Sequence, residues 1–314
     1  MKKKAVVALG GNALLRSSEL GTIEQQEKNA YETLVKILEL IKSGYNIVIT
    51  HGNGPQVGNI MLRNEAGFEK YKIPKMPLDI CVADSQGGIG YMLERQMRNV
   101  FNDFNVDKNV VSLITQVLVD INDPAFKNPT KPVGPFYIKE EADLLVKANK
   151  WKFKEDSGKR GWRRVVASPL PKDIMNKQIV EELVNNGHVV IAVGGGGVPI
   201  YRHENNYLEA IEAVIDKDRA SSLLAQQIGA EVLYIITDVP KVYINYGKPN
   251  QKSLDTITVT EAEKYIKENQ FAAGSMKPKV LAAINFIKNG GAKAVITSEQ
   301  EIGKENGGTQ IISG

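Results

Sequence analysis

Residues 188–197 read HVVIAVGGGG, a short apolar run that ends in four consecutive glycines. The run is apolar at successive positions and does not alternate with polar residues, which is typical of a strand covered on both faces in a parallel sheet. An amphipathic stretch with Ile179, Leu183 and Val184 precedes the run, and Gly187 separates the two. This order of helix, glycine, strand and glycine-rich loop is typical of a βαβ unit.

Three other segments repeat the pattern. In the first, apolar residues recur at helical spacing over residues 34–41, Gly44 follows, and a strand is predicted at residues 47–49. The other two place strands at residues 232–236 and 294–296. The four copies predict an α/β fold, a three-layer αβα sandwich with a mainly parallel central sheet. Ligands of such sheets bind outside the carboxyl ends of the strands, where the small-residue loops fall.

The segment from about residue 120 to residue 171 departs from this pattern. It contains six of the chain's prolines and both of its tryptophans, Trp151 and Trp162. We expect an inserted, protruding lid subdomain within a single domain spanning residues 1–314, because long irregular segments in compact domains are usually functional. An extended surface excursion is the alternative.

Composition argues against a disulfide-bonded, secreted or membrane protein. The single cysteine, Cys81, cannot form an internal disulfide, which fits a reducing cytoplasm. No targeting signal is visible, and the apolar runs are far shorter than a membrane helix requires. We therefore expect a cytoplasmic protein without a membrane partner.

The net charge argues against a nucleic-acid partner. It is +4, from 40 basic and 36 acidic residues, which is mild beside proteins that bind duplexes. One local cluster interleaves cations with an aromatic ring, as single-strand binders do. A solvated loop or a small-anion clamp explains that cluster equally well, and we expect no nucleic acid to bind. Its members are Lys159, Arg160, Trp162, Arg163 and Arg164.

Three glycine-rich turns follow predicted strands. They are Gly10-Gly11-Asn12, the run from His51 to Pro55, and Gly194 to Gly197. Glycine lets backbone N–H groups approach an anion closely, and we expect the four glycines at 194–197 to lie against a ligand. Three histidines in the whole chain argue against a zinc site, and neither a Walker nor a dinucleotide fingerprint is present.

Two further motifs carry cations. In Asp216-Lys217-Asp218, Asp218 either caps a helix that begins near Arg219 or fixes ammonium groups beside a phosphate. In the run from Gly274 to Lys279, Pro278 suits the first turn of a helix, and a lysine there is unfavourable unless an anion binds. A third cation, Lys131, lies in a proline-stiffened loop that suits a lid closing on an anionic substrate.

Seven motifs occur in the order found in carbamate kinases of the amino-acid kinase family, and the chain closely resembles that family. They are ALGGNAL, ITHGNGPQVG, NPTKPVGPFY, GWRRVV, GGGGVP, AVIDKD and GSM-PK. The resemblance implies reversible phosphoryl transfer between carbamoyl phosphate and ADP, with Mg²⁺ held mainly by phosphates and no metal ligand from the protein. It also implies a homodimer and, as a family expectation, a place in arginine or agmatine breakdown.

The resemblance also implies residue roles. Lys131, Lys217 and Lys279 are the expected cations at the transferring phosphoryl group, with Asp218 as their organiser. Lys131 would replace a first-strand lysine of related acyl-phosphate kinases, where this chain has Ala8. The expected carbamate and phosphoryl site comprises Gly10, Gly11, Asn12, Gly52 and Asn53. The expected nucleotide site comprises Thr237, Asp238, Val239, Tyr243, Gly274, Met276, Pro278 and Lys279.

Two positions depart from the family's pattern. Relatives read GRGWRR or GRGYRR where this chain has one extra residue between Gly158 and Gly161, and Lys277 replaces a glycine in GSM-PK. Two other functions stay open. One is a sister enzyme that phosphorylates another small carboxylate or a phosphonate. The other is a non-catalytic nucleotide sensor, which would not need Lys217, Asp218 and Lys279 together.

Overall fold

A computed structural model describes residues 3–16, 19–156, 158, 160–304 and 306–314, with the side chains of Asn12 and Asn149 left out. The helices are α1 (Ile23–Lys42), α2 (Gly54–Tyr71), α3 (Leu78–Asp103), α4 (Lys139–Asn149), α5 (Lys177–Asn185), α6 (Lys217–Gln227), α7 (Val259–Lys267) and α8 (Met276–Lys288). The strands are β1 (Lys4–Leu9), β2 (Asn46–His51), β3 (Val110–Ser112), β4 (Gln116–Val119), β5 (Lys131–Tyr137), β6 (Lys152–Glu155), β7 (Trp162–Val166), β8 (Pro171–Ile174), β9 (Val189–Ile191), β10 (Val198–Arg202), β11 (Leu208–Ala210), β12 (Val232–Ile236), β13 (Val242–Ile244), β14 (Lys252–Leu254), β15 (Thr256–Thr258), β16 (Lys293–Thr297) and β17 (Thr309–Ile312).

The central sheet has eight strands in the order β15-β17-β16-β12-β1-β2-β9-β3. Every neighbouring pair is parallel except β16 and β17. Successive residues of β1 point to opposite faces: Val6 packs with α5, α6 and α8, whereas Val7 packs with α1 and α3. The predicted three-layer sandwich with a mainly parallel sheet is confirmed.

The four predicted βαβ units form as expected. Each helix, α1, α5, α6 and α8, is followed by a glycine with positive φ and then by a strand of the central sheet. A glycine takes this left-handed conformation without the Cβ strain that other residues meet, so the chain can turn sharply into the strand. Those glycines are Gly44, Gly187, Gly229 and Gly290.

Three smaller sheets accompany the central one, and one of them pairs only β13 with β14. Strands β11, β10, β4 and β8 form the first. Strands β5, β7 and β6 form an antiparallel sheet against which α4 packs, and β5 also contacts α2. Among the described residues, no helix has the length and apolar character needed to cross a bilayer.

Strands β12, β1, β2 and β9 are consecutive in the central sheet and parallel. Their carboxyl ends therefore meet at one edge. This edge gathers Thr237, the Gly10 and Gly52 turns, and the run Gly194 to Gly197. The small-residue loops therefore lie outside the carboxyl ends of the strands, as the sequence predicts.

Candidate active site

Asp218 binds two lysines at the amino end of α6. Lys217 Nζ lies 2.5 Å from Asp218 Oδ1, and Lys279 Nζ of α8 lies 2.9 Å from Asp218 Oδ2. All three side chains are largely buried, with about one-seventh or less of each exposed. The structure therefore brings together three of the four residues predicted to be catalytic.

Hydroxyl groups hold α6 against its neighbours. The Ser221 hydroxyl lies 2.6 Å from that of Thr50 on β2, and Ser222 donates to the carbonyl of Ala282 on α8 at 2.9 Å. These buried bonds link α6 to the central sheet and to α8. They fix the helix axes from which Lys217 and Lys279 reach Asp218.

The fourth predicted residue, Lys131 on β5, contacts a different carboxylate. Its Nζ lies 3.1 Å from Asp216 Oδ2. The other oxygen of Asp216 accepts from the backbone N–H groups of Asp218 and Arg219, at 3.0 and 3.3 Å. Asp216 is thus the cap of α6, which begins at Lys217, so the expected start near Arg219 and the alternative of Asp218 as cap are both wrong.

The charges of this cluster are strongly coupled. Burial by itself raises the pKa of Asp218, but the ammonium groups of Lys217 and Lys279 outweigh it and hold the pKa well below its ordinary value. Asp216 behaves alike: burial raises its pKa, and Lys131 lowers it to a net value below the ordinary one. Burial also lowers the pKa of Lys217, although Asp218 opposes that shift. Both carboxylates are ionised at neutral pH.

The glycine turns of β1 and β2 lie against this cluster. A Cβ built on Gly52 would lie 3.6 Å from Lys217 Cδ and 3.9 Å from the backbone nitrogen of Gly11. A Cβ on Gly10 would come within 2.7 Å of the Ile236 carbonyl oxygen, whereas one on Gly11 would meet nothing within 4 Å. Gly10 is therefore required by packing, whereas a Cβ on Gly11 would point into open space.

The loop of residues 194–197 is explained by protein contacts. A Cβ on Gly194 would lie 2.4 Å from His51 Nε2, and one on Gly195 would lie 2.1 Å from Asn53 Nδ2. Cβ atoms on the next two glycines would meet Ile215 and Val117 equally closely. Packing against buried protein atoms therefore accounts for these four glycines, and the expectation that they also lie against a ligand stays a prediction.

The buried amide and imidazole beside this loop have defined partners. Asn53 Nδ2 donates to Ser85 Oγ at 2.8 Å, and His51 Nδ1 lies 2.9 Å from the Gly52 carbonyl. Burial lowers the pKa of His51 to about 4. His51 is therefore neutral at pH 7 and contributes hydrogen bonds to the turn. The side chain of Asn12 lies outside the described residues.

A cavity of about 200 Å³ lies at the end of β12. Five of the predicted nucleotide residues line it: Thr237, Asp238, Val239, Tyr243 and Met276. The sequence did not identify its remaining wall, which is formed by Tyr246, Gln270, Phe271, Ala272 and Ser275.

The other predicted nucleotide residues lie beside this cavity. Gly274 and Pro278 flank Met276 at the start of α8, while Lys279 points to Asp218. Thr237 also lines an adjacent cavity of about 190 Å³ that reaches Gly10. The two cavities thus connect the start of α8 with the first glycine turn.

The basic and aromatic cluster belongs to the sheet of β5, β6 and β7. Arg160 pairs with Asp156, Arg163 donates to the Gly134 carbonyl, and Arg164 pairs with Glu212. The guanidinium carbon of Arg164 also lies 3.9 Å from the centre of a Trp151 ring, and Lys139 Nζ lies 4.8 Å from the centre of a Trp162 ring. The described cations of this cluster therefore bind partners within the protein. Lys159 lies outside the described residues.

The geometry above is that of a polar cluster of three lysines and two carboxylates, with glycine turns beside it. A model of the amino acid kinase family matches residues 3–298. This chain belongs to the amino acid kinase family.

Two relatives illustrate the similarity. The carbamate kinase of Pyrococcus horikoshii is 50% identical over 296 residues, which cover 94% of each chain. That of Pyrococcus furiosus is 47% identical over 315 residues, covering 99% of this chain and 100% of the relative.

A solved structure agrees with them. Carbamate kinase from Giardia lamblia bound to AMP-PNP is 45% identical and has a TM-score of 0.93, covering 100% of this chain and 99% of that one. The resemblance to carbamate kinases that the seven motifs indicate is confirmed.

Asp216 and Asp218 are committed to lysines. In the described part of the chain, no group of three or more histidine, cysteine, aspartate or glutamate side chains could hold a metal ion. The two nearest carboxylates, Asp216 and Asp218, each accept from ammonium groups. Phosphate oxygens of a nucleotide are donors that Mg²⁺ prefers.

Proposed function

We propose that this chain is a carbamate kinase, which transfers a phosphoryl group reversibly between carbamoyl phosphate and ADP. The observation that carries the proposal is the cluster of Lys131, Lys217 and Lys279 on two carboxylates beside open glycine turns. Relatives that are named carbamate kinases and match nearly the whole chain support the same substrate.

The carbamate and phosphoryl groups would bind at the turns of β1 and β2. Backbone N–H groups of Gly10 and Gly11 would donate to the oxygens, Gly52, whose own N–H donates to the Leu9 carbonyl at 3.2 Å, would line the site, and the amide of Asn53 would orient the carbamate. Asn12 completes the proposed set through its backbone. Backbone donors at such turns are fixed before the substrate arrives, so they stabilise developing charge without reorganising.

The reaction needs positioning and positive charge, and no covalent intermediate. The bond between phosphorus and the carbamate oxygen breaks as a β-phosphate oxygen of ADP forms a new bond to phosphorus. Carbamate leaves and decomposes to ammonia and CO₂. The charge spreads over the equatorial phosphoryl oxygens, where Lys217 and Lys279 would stabilise it while Asp218 keeps both in place.

The nucleotide would lie in the cavity at the end of β12. Thr237, Asp238, Val239, Tyr243 and Met276 line it, and Gly274, Pro278 and Lys279 would guide the phosphates toward the glycine turns. The AMP-PNP in the Giardia lamblia relative is an ATP analogue, in accord with an ATP and ADP site here.

Mg²⁺ would accompany the nucleotide. When bound, it would neutralise phosphate charge. The donor set of this chain agrees with binding through phosphates, since Asp216 and Asp218 are both occupied by lysines.

The segment from about residue 120 to 171 would act as a lid within one domain. Its strand β5 carries Lys131, and the carbonyl of Gly134 accepts from Arg163 at 2.9 Å, which ties β5 to β7. Carbamate decomposes in water, so a lid that excludes water has a direct use.

The proposed assembly, compartment and pathway are those expected of the family. The chain would form a homodimer in the cytoplasm and act in arginine or agmatine breakdown. The buried, unpaired Cys81 agrees with a reducing compartment.

ATP formation tests the proposal. Purified protein is mixed with ADP, Mg²⁺ and carbamoyl phosphate, and ATP is followed with luciferase, with acetyl phosphate as the control donor. We expect ATP from carbamoyl phosphate well above the protein-free blank. A folded sample that forms no ATP, or forms it equally well from acetyl phosphate, would contradict the proposed substrate.

A further inference from the structure

Asp216 uses its two carboxylate oxygens for two different partners. Oδ1 accepts from the backbone of Asp218 and Arg219 and thereby caps α6. Oδ2 accepts from Lys131 Nζ at 3.1 Å. The lysine of the proposed lid is thus held at the first turn of the helix that carries Lys217 and Asp218.

The backbone of the lid is held to the same region without this ion pair. Val214 N–H donates to the Ala167 carbonyl at 3.0 Å, and Ala167 forms a parallel bridge with Ala213. A second ion pair, Arg164 with Glu212, joins the same two segments. The contact with Asp216 is therefore not needed to hold the lid strands, and what it determines is the conformation of the Lys131 side chain.

A lysine side chain needs such a partner to be fixed. It has four rotatable bonds, and ordering it costs about 2 kcal/mol of conformational entropy. Lys131 is about one-third exposed, so burial alone does not immobilise it. A charge-assisted hydrogen bond to a largely buried carboxylate offsets that cost. Asp216 stays ionised for this purpose, because Lys131 outweighs the effect of burial on its pKa.

We propose that Asp216 is a positioning residue for phosphoryl transfer, which holds the Lys131 ammonium group beside the cluster of Lys217, Asp218 and Lys279. This inference rests on the proposed function. Two carboxylates, two residues apart at one helix end, then organise the three cations: Asp218 those of the core and Asp216 that of the lid.

The test separates this role from helix capping. Asparagine is as good a cap as aspartate, so Asp216→Asn keeps the cap and removes the negative charge. A charge-assisted bond is worth about 10-fold to 100-fold in rate, and we expect kcat for ATP formation to fall by that factor in Asp216→Asn, with the KM for ADP little changed. Glu212→Gln, which removes the other ion pair between the lid and the same segment, is the matched control and should keep nearly full kcat.

A double-mutant cycle tests whether Asp216 acts through Lys131. In the Lys131→Ala background, Asp216→Asn should change kcat by less than about twofold, since coupled residues are not additive. Full additivity in the cycle, or wild-type kcat in Asp216→Asn, would overturn the inference while the proposed function stands. No ATP from the unchanged protein would overturn the proposed function and this inference with it.

A second measurement does not depend on activity. An amine-reactive reagent is applied to wild type and to Asp216→Asn, and labelling of Lys131 is quantified by peptide mass spectrometry against Lys139, which pairs with Asp143. Loss of the carboxylate uncovers the ammonium group, so Lys131 should label several times faster in the variant, with Lys139 unchanged. Equal labelling of Lys131 in both proteins would overturn the proposed pairing.

Discussion

Lys279 Nζ on α8 lies 2.9 Å from Asp218 Oδ2 on α6, so two helices meet through one buried ion pair. Lys217 occupies the other oxygen of the same carboxylate. We expect Asp218→Asn to lower kcat by about 100-fold or more, because the ammonium groups lose the charge that orients them. It should also lower the free energy of unfolding by about 3 kcal/mol, the cost of leaving buried cations unpaired.

ATP formation and urea unfolding measure the two effects. The control is Asp173→Asn, which alters a carboxylate that pairs with Lys177 at the start of α5. Wild-type turnover in Asp218→Asn would show that Asp218 has no role in catalysis.

Lys131→Ala should separate turnover from nucleotide binding. The lysine lies on β5, away from the cavity at the end of β12, so its loss should lower kcat with carbamoyl phosphate by about 100-fold and leave ADP affinity within about twofold. Steady-state kinetics and calorimetric titration with ADP measure the two quantities. Lys139→Ala, another lysine of the same segment, should behave as wild type. Unchanged turnover in Lys131→Ala would exclude the lysine from the mechanism.

His51 makes stability depend on pH. Burial, together with the nearby charge of Lys217, lowers its pKa from 6.5 to about 4. Between those values the unfolded chain binds a proton that the folded protein does not, so the free energy of unfolding falls as the pH drops from 6.5 to 4. At about 1.4 kcal/mol per pKa unit, the loss attributable to His51 is about 3 kcal/mol.

Urea unfolding at several pH values tests this expectation. The acid loss should shrink in His51→Asn and persist in His203→Asn, which alters an exposed histidine. An equal loss in wild type and His51→Asn would show that the imidazole is not the titrating group.

Gly11 offers a test of the proposed phosphoryl site. A Cβ at this position meets no atom within 4 Å, so Gly11→Ala should fold with an unchanged melting temperature. The methyl group would occupy the space proposed for phosphoryl oxygens, and we expect kcat/KM for carbamoyl phosphate to fall by about 10-fold or more. Gly67→Ala on α2, with only an ordinary contact to Ile73, is the control. Wild-type kinetics in Gly11→Ala would place the phosphoryl group elsewhere.

The layers of the fold were predictable because their signals are local. The apolar run Val189–Ile191 and the helical spacing of Leu34, Ile37 and Ile41 each depend on residues close together in the chain. Gly44 likewise marks the end of α1 from its position alone. Four repeats of such signals determine the class of sheet.

The site was less predictable because its contacts join distant segments. The sequence shows carboxylates on both sides of Lys217, but the pairing of Asp216 with Lys131 joins residues 85 positions apart and has no local signal. In the same way, the close packing of Gly195 comes from Asn53 on another strand. Tyr246 and its neighbours in the cavity at the end of β12 carry no spacing signal, since they lie on irregular loops.

The cluster at the start of α6 contains three ammonium groups and two carboxylates, so it holds one positive charge in excess. A site with this net charge attracts small anions in general. Sulfate, inorganic phosphate and pyrophosphate would all compete for the same excess charge, and the ionic composition around the protein would then set how much of it is free for substrate.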